Sequence, residues 1–317
     1  MFINKIPLFE KLKDSKNILL AGAGGGFDIF SGLPLYFSLK NLGKQVHLAN
    51  LSFTRLGNIS GKRLTPHILE VDINSKSSEI YFPEKYLSQW FKENGETVSI
   101  HCFSMTGVKP LTKAYQALCE ALKIDTIILI DGGTDSLMRG DEVGLGTPEE
   151  DMASLAAVNE LDIETKLLTC IGFGVDTYHG VCHAQFLEAV ADLTKKKGFL
   201  GMFSLLDDMN EVIKYKEAVD FVFKLMPRFE SIVSASIVSA IEGEYGNYHK
   251  INRTKSSKLW INPLMNLYWS FELDAVVERS LYLDKIINTK TRWDISLIIE
   301  KFRYEICPVK KWENIPS

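Results

Sequence analysis

Short aliphatic and β-branched runs alternate with longer helical patterns over the first two thirds of the chain. The run Thr126–Ile130 is aliphatic after its first residue, which is typical of a strand covered on both faces. This alternation predicts an α/β fold with a Rossmann-like, mainly parallel sheet flanked by helices. The predicted strands are Lys16–Ala21, Gln45–Leu51, Leu69–Asp72, Thr97–Phe103, Thr126–Ile130, Lys166–Ile171 and Phe199–Leu205. The helical patterns between them are Phe27–Asn41, Pro83–Asn94, Pro110–Lys123, Pro148–Leu161 and Val181–Lys195.

The pattern changes after about residue 206 to a helix-rich C-terminal part. We therefore divide the chain into a Rossmann-like core, residues 1–206, and a helical part, residues 207–317. Because no Pro/Gly/Ser-rich linker separates the two, we expect the helices to pack on the core. The alternative that the whole chain forms one single domain is left open. The predicted helices of this part are Val212–Leu225, Ser231–Ile241, Leu264–Ile287 and Ile295–Arg303.

Composition excludes several classes of protein. The chain has 317 residues, of which 46% are hydrophobic, so a sizeable core can form. A net charge of −4 argues against a general nucleic-acid binder. No apolar stretch suits a signal peptide or a membrane span, and the five cysteines contain no CxxC pair. We expect a cytoplasmic protein without nucleic-acid or membrane partners, and we leave a homo-oligomer open.

A glycine-rich loop follows the first predicted strand directly. Glycines let the backbone approach a ligand closely, and a following helix would present N–H groups to an anion. Phe27 stands where the dinucleotide fingerprint needs a glycine, and the second strand ends at Asn50 rather than at an acid, so classical NAD binding is disfavoured. A ligand-free tight turn is the alternative. The candidate phosphate- or nucleotide-binding residues are Gly22, Gly24, Gly25, Gly26 and Asp28.

An acidic, glycine-rich loop follows the strand Thr126–Ile130. Carboxylates at the end of a strand suit a magnesium ion or acid–base chemistry, although Asp131 alone could also bind neighbouring backbone N–H groups. Thr147 and Pro148 have the pattern of a helix start, with Glu150 completing a capping box. We therefore place Glu149, Glu150 and Asp151 outside the site. The candidate metal ligands are Asp131, Asp135, Asp141 and Glu142, and Gly132 and Gly133 are candidate ligand-binding residues.

A histidine-containing segment follows the strand Lys166–Ile171. Asp176, His179 and His183 are spaced i, i+3 and i+7, so on a helix they would share one face as a metal site or an acid–base relay. Asp176 as a helix N-cap is the alternative. Cys182 is a conceivable nucleophile beside them. A later cationic loop contains Arg253, which could bind a phosphate or lie on a solvated surface.

The glycine, acidic and histidine loops each follow the carboxyl end of a predicted parallel strand, where ligands bind in open α/β sheets. We therefore expect the glycine, acidic and histidine loops to form one crevice. The first hypothesis is an enzyme, a hydrolase or group transferase, acting on a nucleotide or phosphorylated small molecule. In this enzyme the glycines would bind phosphate, and Asp131 and Asp135 would hold magnesium or act as a base. His179 would transfer a proton, and Asp176 would orient the histidine. The alternatives are a non-catalytic nucleotide sensor and a metal-dependent hydrolase of a non-nucleotide substrate, the latter using Asp176, His179 and His183.

Four stretches together resemble a prokaryotic family known only as domain of unknown function eleven fifty-two. They are ILLAGAGGGFDIFSGLP, ILIDGGTDSLMRGDE with GLGTPEED, CIGFGVDTYHGV, and LWINPLMNLYWSFEL. The resemblance extends over nearly the full chain and implies a fold and the location of a site, but no activity. A second, partial resemblance is to the opening of the sirtuin family, in Gly22-Ala23-Gly24, Ser31-Gly32-Leu33-Pro34, Phe37 and His179-Gly180. It implies a related nucleotide fold, without the zinc cysteines of that family.

Overall fold

The computed structural model describes residues 5–305 and 308–315. The strands are β1 (Asn17–Gly22), β2 (Gln45–Ser52), β3 (Lys62–Thr65), β4 (Ile68–Val71), β5 (Ile100–Ser104), β6 (Thr126–Asp131), β7 (Thr165–Cys170), β8 (Phe199–Ser204) and β9 (Leu267–Glu272). The helices are α1 (Pro7–Lys11), α2 (Asp28–Ser31), α3 (Leu33–Asn41), α4 (Pro83–Glu93), α5 (Val108–Leu122), α6 (Pro148–Asn159), α7 (His183–Lys195), α8 (Asn210–Leu225), α9 (Ile232–Ile241), α10 (Leu273–Arg279), α11 (Leu283–Ile286) and α12 (Arg292–Glu305).

All of these strands belong to one sheet, in the order β3-β4-β5-β2-β1-β6-β7-β9-β8. The central strands β5, β2, β1, β6 and β7 are parallel. The outer strands on both sides are antiparallel to their neighbours. The prediction of an α/β fold with a mainly parallel sheet is therefore confirmed for the centre of the sheet, and a Rossmann-like arrangement fits it.

Helices cover both faces of the sheet, as the aliphatic run in β6 predicts. Ile127 and Leu129 point into a core that includes α5 and α6. Ile128 and Ile130 point into the opposite core, which includes α3 and α8. Burial on both faces explains why β6 contains no alternating polar residue. The loop that follows β6 therefore begins from a strand that is buried along its whole length.

The C-terminal part is not wholly helical, so the prediction of one helix over Leu264–Ile287 is wrong. This segment forms a 3₁₀ turn, then β9, then α10 and α11. Tyr268 packs into one core, whereas Trp269 and Phe271 pack into the other, which is the alternation of a strand. The segment lies between β7 and β8, so residues after 206 add a strand to the sheet of the preceding part.

Two further features of the fold differ from, or add to, the prediction. The strand β3 was not predicted; it is a short edge strand whose residues Lys62 and Arg63 are exposed. The helical pattern over Phe27–Asn41 is split into α2 and α3 at Gly32. Among the described residues, no helix combines the length and the hydropathy needed to cross a bilayer.

Candidate active site

The loops after β1, β6 and β7 line one cavity of about 380 Å³. Because β6 is parallel to both β1 and β7 and hydrogen-bonded to each, the carboxyl ends of all three lie at one edge of the sheet. The predicted residues that line this cavity are Gly24, Gly25, Gly26, Asp28, Asp131, Gly132, Asp135, Asp176, His179 and Arg253.

A larger cavity of about 710 Å³ lies beside the amino-terminal half of β2. Four of its charged side chains form two ion pairs, Lys40 with Glu96 at 2.6 Å and Lys62 with Glu70 at 3.2 Å. These pairs neutralise much of its charge. We therefore regard the smaller cavity, whose charge is unbalanced, as the candidate site.

Three carboxylates from separate segments converge in the smaller cavity. Asp28 lies at the start of α2, Asp131 ends β6, and Asp151 lies in the first turn of α6. One oxygen atom of each lies within 4.8 Å of the others, which is a spacing that a single cation can bridge. Asp135 and Asp176 line the same cavity, so five aspartates share it. We call these five residues the aspartate cluster.

Burial makes charge in the aspartate cluster costly. It raises the pKa of Asp28 to about 7, and it raises the pKa of Asp131, Asp135, Asp151 and Asp176 as well. The negative charge of neighbouring members raises the pKa of Asp131, Asp151 and Asp176 further. Within the described part of the chain, no ion pair involves any member of the cluster. At neutral pH the cluster therefore needs bound protons or an added cation.

Hydrogen bonds orient four members of the cluster. The N–H of Gly24 donates to Asp28 at 2.6 Å, and the N–H of Thr134 donates to Asp176 at 2.7 Å. Likewise, Asp131 accepts from the Ser136 hydroxyl, and Asp135 accepts from the Thr147 N–H at 2.8 Å. Asp151 differs from these four. It is only 2% exposed, and its buried Oδ1 has no hydrogen-bond partner among the described residues.

The glycines of the loops make room for these carboxylates. A Cβ atom at Gly24 would lie 2.7 and 2.9 Å from the two carboxylate oxygens of Asp151. A Cβ atom at Gly133 would lie 2.8 Å from an oxygen of Asp176 and 3.0 Å from one of Asp131. Real Cβ atoms do not approach oxygens this closely without displacing them, so larger residues would open the cluster. In this structure the glycine loop holds an acidic side chain, since the Gly24 N–H is occupied by Asp28.

Asp141 and Glu142, predicted as metal ligands, do not line the cavity. Asp141 forms an ion pair with Arg139, which holds its pKa below the usual range. Glu142 is fully buried and accepts from the Arg139 N–H at 3.0 Å, the Gly140 N–H at 2.8 Å and the Arg279 guanidinium at 3.4 Å. Both side chains are occupied in stabilising the loop, so they have no free oxygens directed at the aspartate cluster.

The histidine segment is only partly assembled at the site. Asp176 and His179 line the cavity on a 3₁₀ turn that ends at Gly180, whose φ is +87°. This left-handed residue breaks the helix that the i, i+3, i+7 spacing requires. His183 consequently begins a separate helix outside the cavity, where its ring lies 3.3 Å from the Thr177 hydroxyl.

Cys182 does not have the setting of a nucleophile. It is buried, and its thiol donates to the backbone carbonyl of Glu313 at 3.1 Å. It is also the N-cap residue of α7, so Asp176 is not the cap of that helix.

A second part of the cavity wall is aromatic and was not predicted. Phe53, Tyr81 and Phe229 line it together with Arg253, whose guanidinium donates to the Glu230 carbonyl at 2.5 Å. Phe53 follows the carboxyl end of β2, so the sheet-edge argument applied to this strand would have found it. No local signal marks Tyr81 or Phe229, which come from the loops before α4 and α9.

The exclusion of Asp151 from the site is corrected by this geometry. Thr147 does occupy the N-cap position of α6, with Pro148 next. Its N–H and hydroxyl, however, both donate to Asp135, and no capping box closes. The first turn of α6 is therefore tied to the acidic loop, which brings Asp151 to Asp28 and Asp131. Glu150 forms an ion pair with Arg292 at 2.8 Å, and Glu149 accepts from the Ser296 hydroxyl, so these two lie outside the cluster.

Comparison with known proteins gives one match. The family described as "Protein of unknown function (DUF1152)" matches residues 61–303, which include Asp131, Asp151 and Asp176. No curated protein and no solved structure matches the chain. The likeness to the sirtuin opening gains no support from these comparisons. Because the match extends over about three quarters of the sequence, the chain belongs to the DUF1152 family.

Proposed function

We propose that the cavity is the active site of a divalent-cation-dependent hydrolase or group transferase whose substrate is a nucleotide or another phosphorylated small molecule. The observation that carries this proposal is the convergence of Asp28, Asp131 and Asp151, with the buried Oδ1 of Asp151 left without a hydrogen-bond partner in residues 5–305 and 308–315. An unpaired buried carboxylate oxygen is costly unless something binds it. A hard divalent cation such as Mg²⁺ prefers such oxygens.

The donor set fits a cation better than it fits a bare anion. Five carboxylates at one end of a cavity repel phosphate, and the Gly24 N–H that could have bound it is already engaged. A phosphate group would therefore reach this wall through a cation held by Asp28, Asp131 and Asp151. When bound, that cation would polarise a phosphoryl oxygen and favour attack on phosphorus. On this proposal, the glycine loop acts mainly by allowing the carboxylates to approach one another.

The remaining cavity residues have separate tasks in this proposal. His179 is exposed and lines the cavity together with Asp135, so it is placed to exchange a proton with a bound substrate. Asp176 accepts from Thr134, so it orients the loop after β6. Arg253, on the aromatic side, would bind a phosphate oxygen or a leaving group.

The first test is titration of the metal-free protein with Mn²⁺ and Mg²⁺ by calorimetry, at pH 7.5. We expect one site per chain with competition between the two ions. Thermal unfolding is then measured with nucleotides, NAD, ADP-ribose and sugar phosphates, with and without Mg²⁺. A ligand at 100 times its dissociation constant stabilises by about 2.7 kcal/mol. A shift that requires Mg²⁺ supports the proposal, whereas absence of any cation binding contradicts it. Ligand binding without turnover would instead assign the cavity to nucleotide sensing.

Gly24→Ala tests the packing of the glycine loop against the carboxylates. The added Cβ would displace the Asp151 carboxylate, so we expect Mn²⁺ affinity to fall at least about tenfold, which corresponds to 1.4 kcal/mol. The matched control is Gly57→Ala, since no atom of the residues that the structure describes lies within 4 Å of the added Cβ there and the backbone is not left-handed. Unchanged Mn²⁺ affinity in Gly24→Ala would show that the cluster is not the binding site.

A further inference from the structure

The cavity has two chemically different walls, and the second one has no role in cation binding. Besides the aspartate cluster, the rings of Phe53, Tyr81 and Phe229 line the cavity. Tyr81 and Phe229 support each other edge to face, with centroids 5.7 Å apart. Phe53 keeps 43% of its surface exposed. An exposed phenylalanine at the mouth of a polar cavity offers a flat apolar surface to a ligand.

Phe53 is held in place before any ligand arrives. Its ring carbons lie 2.8 Å from where a Cβ of Gly25 would be and 3.1 Å from where a Cβ of Gly26 would be, so the ring lies against the bare backbone of the glycine loop. The next residue, Thr54, donates its hydroxyl to the Tyr81 carbonyl at 3.0 Å, which joins this segment to the rest of the aromatic wall. Little conformational entropy therefore remains to be lost when a flat group stacks on Phe53.

The combination of the two walls in one cavity fits one ligand class. Gly24 contacts the carboxylates of Asp28 and Asp151, and the neighbouring Gly25 contacts Phe53. Because Gly24 and Gly25 are consecutive, the carboxylates and the ring of Phe53 lie against the same short stretch of backbone in one cavity. A nucleotide carries an anionic phosphate and a flat base on one ribose, and these are the two groups that a bound cation and an exposed ring would bind. A sugar phosphate lacks the ring, and a nucleoside lacks the anion.

We propose that the substrate is a nucleotide whose base stacks on Phe53 while its phosphate shares the cation with Asp28, Asp131 and Asp151. This inference rests on the proposed function, since it takes the cation site as its anchor. It goes further by assigning ligand specificity to Phe53, a residue outside the aspartate cluster. Base stacking tolerates any base, so Phe53 would favour nucleotides over sugar phosphates without distinguishing one base from another.

The experiment compares AMP, GMP, CMP and UMP with ribose 5-phosphate, by calorimetry on the Mn²⁺-saturated protein. We expect all four nucleotides to bind at least tenfold more tightly than ribose 5-phosphate. Phe53→Ala should weaken nucleotide binding roughly 5- to 150-fold, from the usual strength of base–aromatic stacking. Phe53→Leu, which retains apolar volume, should also weaken it, whereas Phe53→Tyr should retain affinity within about threefold because the ring remains. Binding of Mn²⁺ and of ribose 5-phosphate should not change in any of the three.

The control is Tyr304→Ala, which removes an exposed ring from α12, outside the cavity. Equal affinity for nucleotides and ribose 5-phosphate would overturn the inference, and so would a nucleotide affinity that Phe53→Ala and Phe53→Leu leave unchanged. Either result, with Mn²⁺ binding intact, would leave the proposed cation site standing. Failure of the wild-type protein to bind Mn²⁺ would instead remove the proposed function together with this inference.

Discussion

Asp151→Asn is expected to weaken Mn²⁺ binding at least about a hundredfold while stabilising the metal-free protein at pH 8. Loss of groups that merely orient a ligand typically costs 10- to 100-fold in metal affinity, and Asp151 is placed as a direct ligand. Its stabilising effect has a separate cause. Burial and four neighbouring acids raise the pKa of Asp151 well above its usual range, so charge on this side chain destabilises the folded protein. Asparagine removes that charge and retains the shape.

The pH dependence follows from the direction of the pKa shifts. The folded-state pKa of Asp28 is about 7, compared with 3.8 for an ordinary aspartate, so the folded protein binds more protons than the unfolded chain between those values. Stability from this group is therefore full below about pH 4 and is lost as the pH rises through 7. In EDTA, we expect the wild-type unfolding midpoint to decline between pH 5 and 8, and that of Asp151→Asn to decline less.

The matched control for this prediction is Asp162→Asn, which removes one exposed charge just beyond the end of α6. It should alter neither Mn²⁺ affinity nor the pH profile. A variant Asp151→Asn that loses stability in EDTA, or that binds Mn²⁺ as the wild type does, would contradict the assignment of Asp151 to a cation site.

The second large effect is expected from Arg279→Met, which should lower the free energy of unfolding by about 3–5 kcal/mol. Arg279 is 5% exposed, and Glu142 is fully buried beside it. The guanidinium also donates to the Leu137 carbonyl at 2.7 Å. Removing one partner of a buried pair leaves an uncompensated charge, which is the costly way to break it. Urea unfolding followed by circular dichroism would measure the change.

Two further variants separate the ion pair from loss of side-chain volume. Adding Glu142→Gln to Arg279→Met should recover part of the lost stability, because the unpaired charge disappears. Arg55→Met replaces an exposed arginine and should change stability by less than about 0.5 kcal/mol. If Arg279→Met were as mild as Arg55→Met, the buried pair would contribute little. Mn²⁺ affinity of the folded protein should survive in Arg279→Met, since Glu142 does not line the cavity.

The sequence predicts the centre of the sheet well because its strands are covered on both faces. In β6 the unbroken aliphatic run favours a strand over a helix. In β9 the residues Tyr268, Trp269 and Phe271 are all apolar and their spacing also suits a helix. Only their burial in two different cores distinguishes the strand, and that information is not local.

The site was predictable at its strand ends and not elsewhere. Asp131 and Asp176 follow strands, and the rule that ligands bind at the carboxyl edge places them together. Asp151 had a sufficient local explanation, since acids are favoured in the first turn of any helix. A tertiary contact overrides that explanation. The N–H and the hydroxyl of Thr147 both donate to Asp135, which fixes the start of α6 beside the cluster. His183 was misplaced for a backbone reason, namely the left-handed Gly180.

The insertion of β9 between β7 and β8 has a consequence during protein synthesis. Among the described strands, β8 pairs only with β9, so it has no partner when it first leaves the ribosome. At 5–20 residues per second, roughly 60 further residues take about 3–12 s to be translated. Through that interval β7 presents an unpaired edge, which is the feature that invites aggregation. Nascent chains stalled between β8 and β9 should therefore be the most dependent on chaperones.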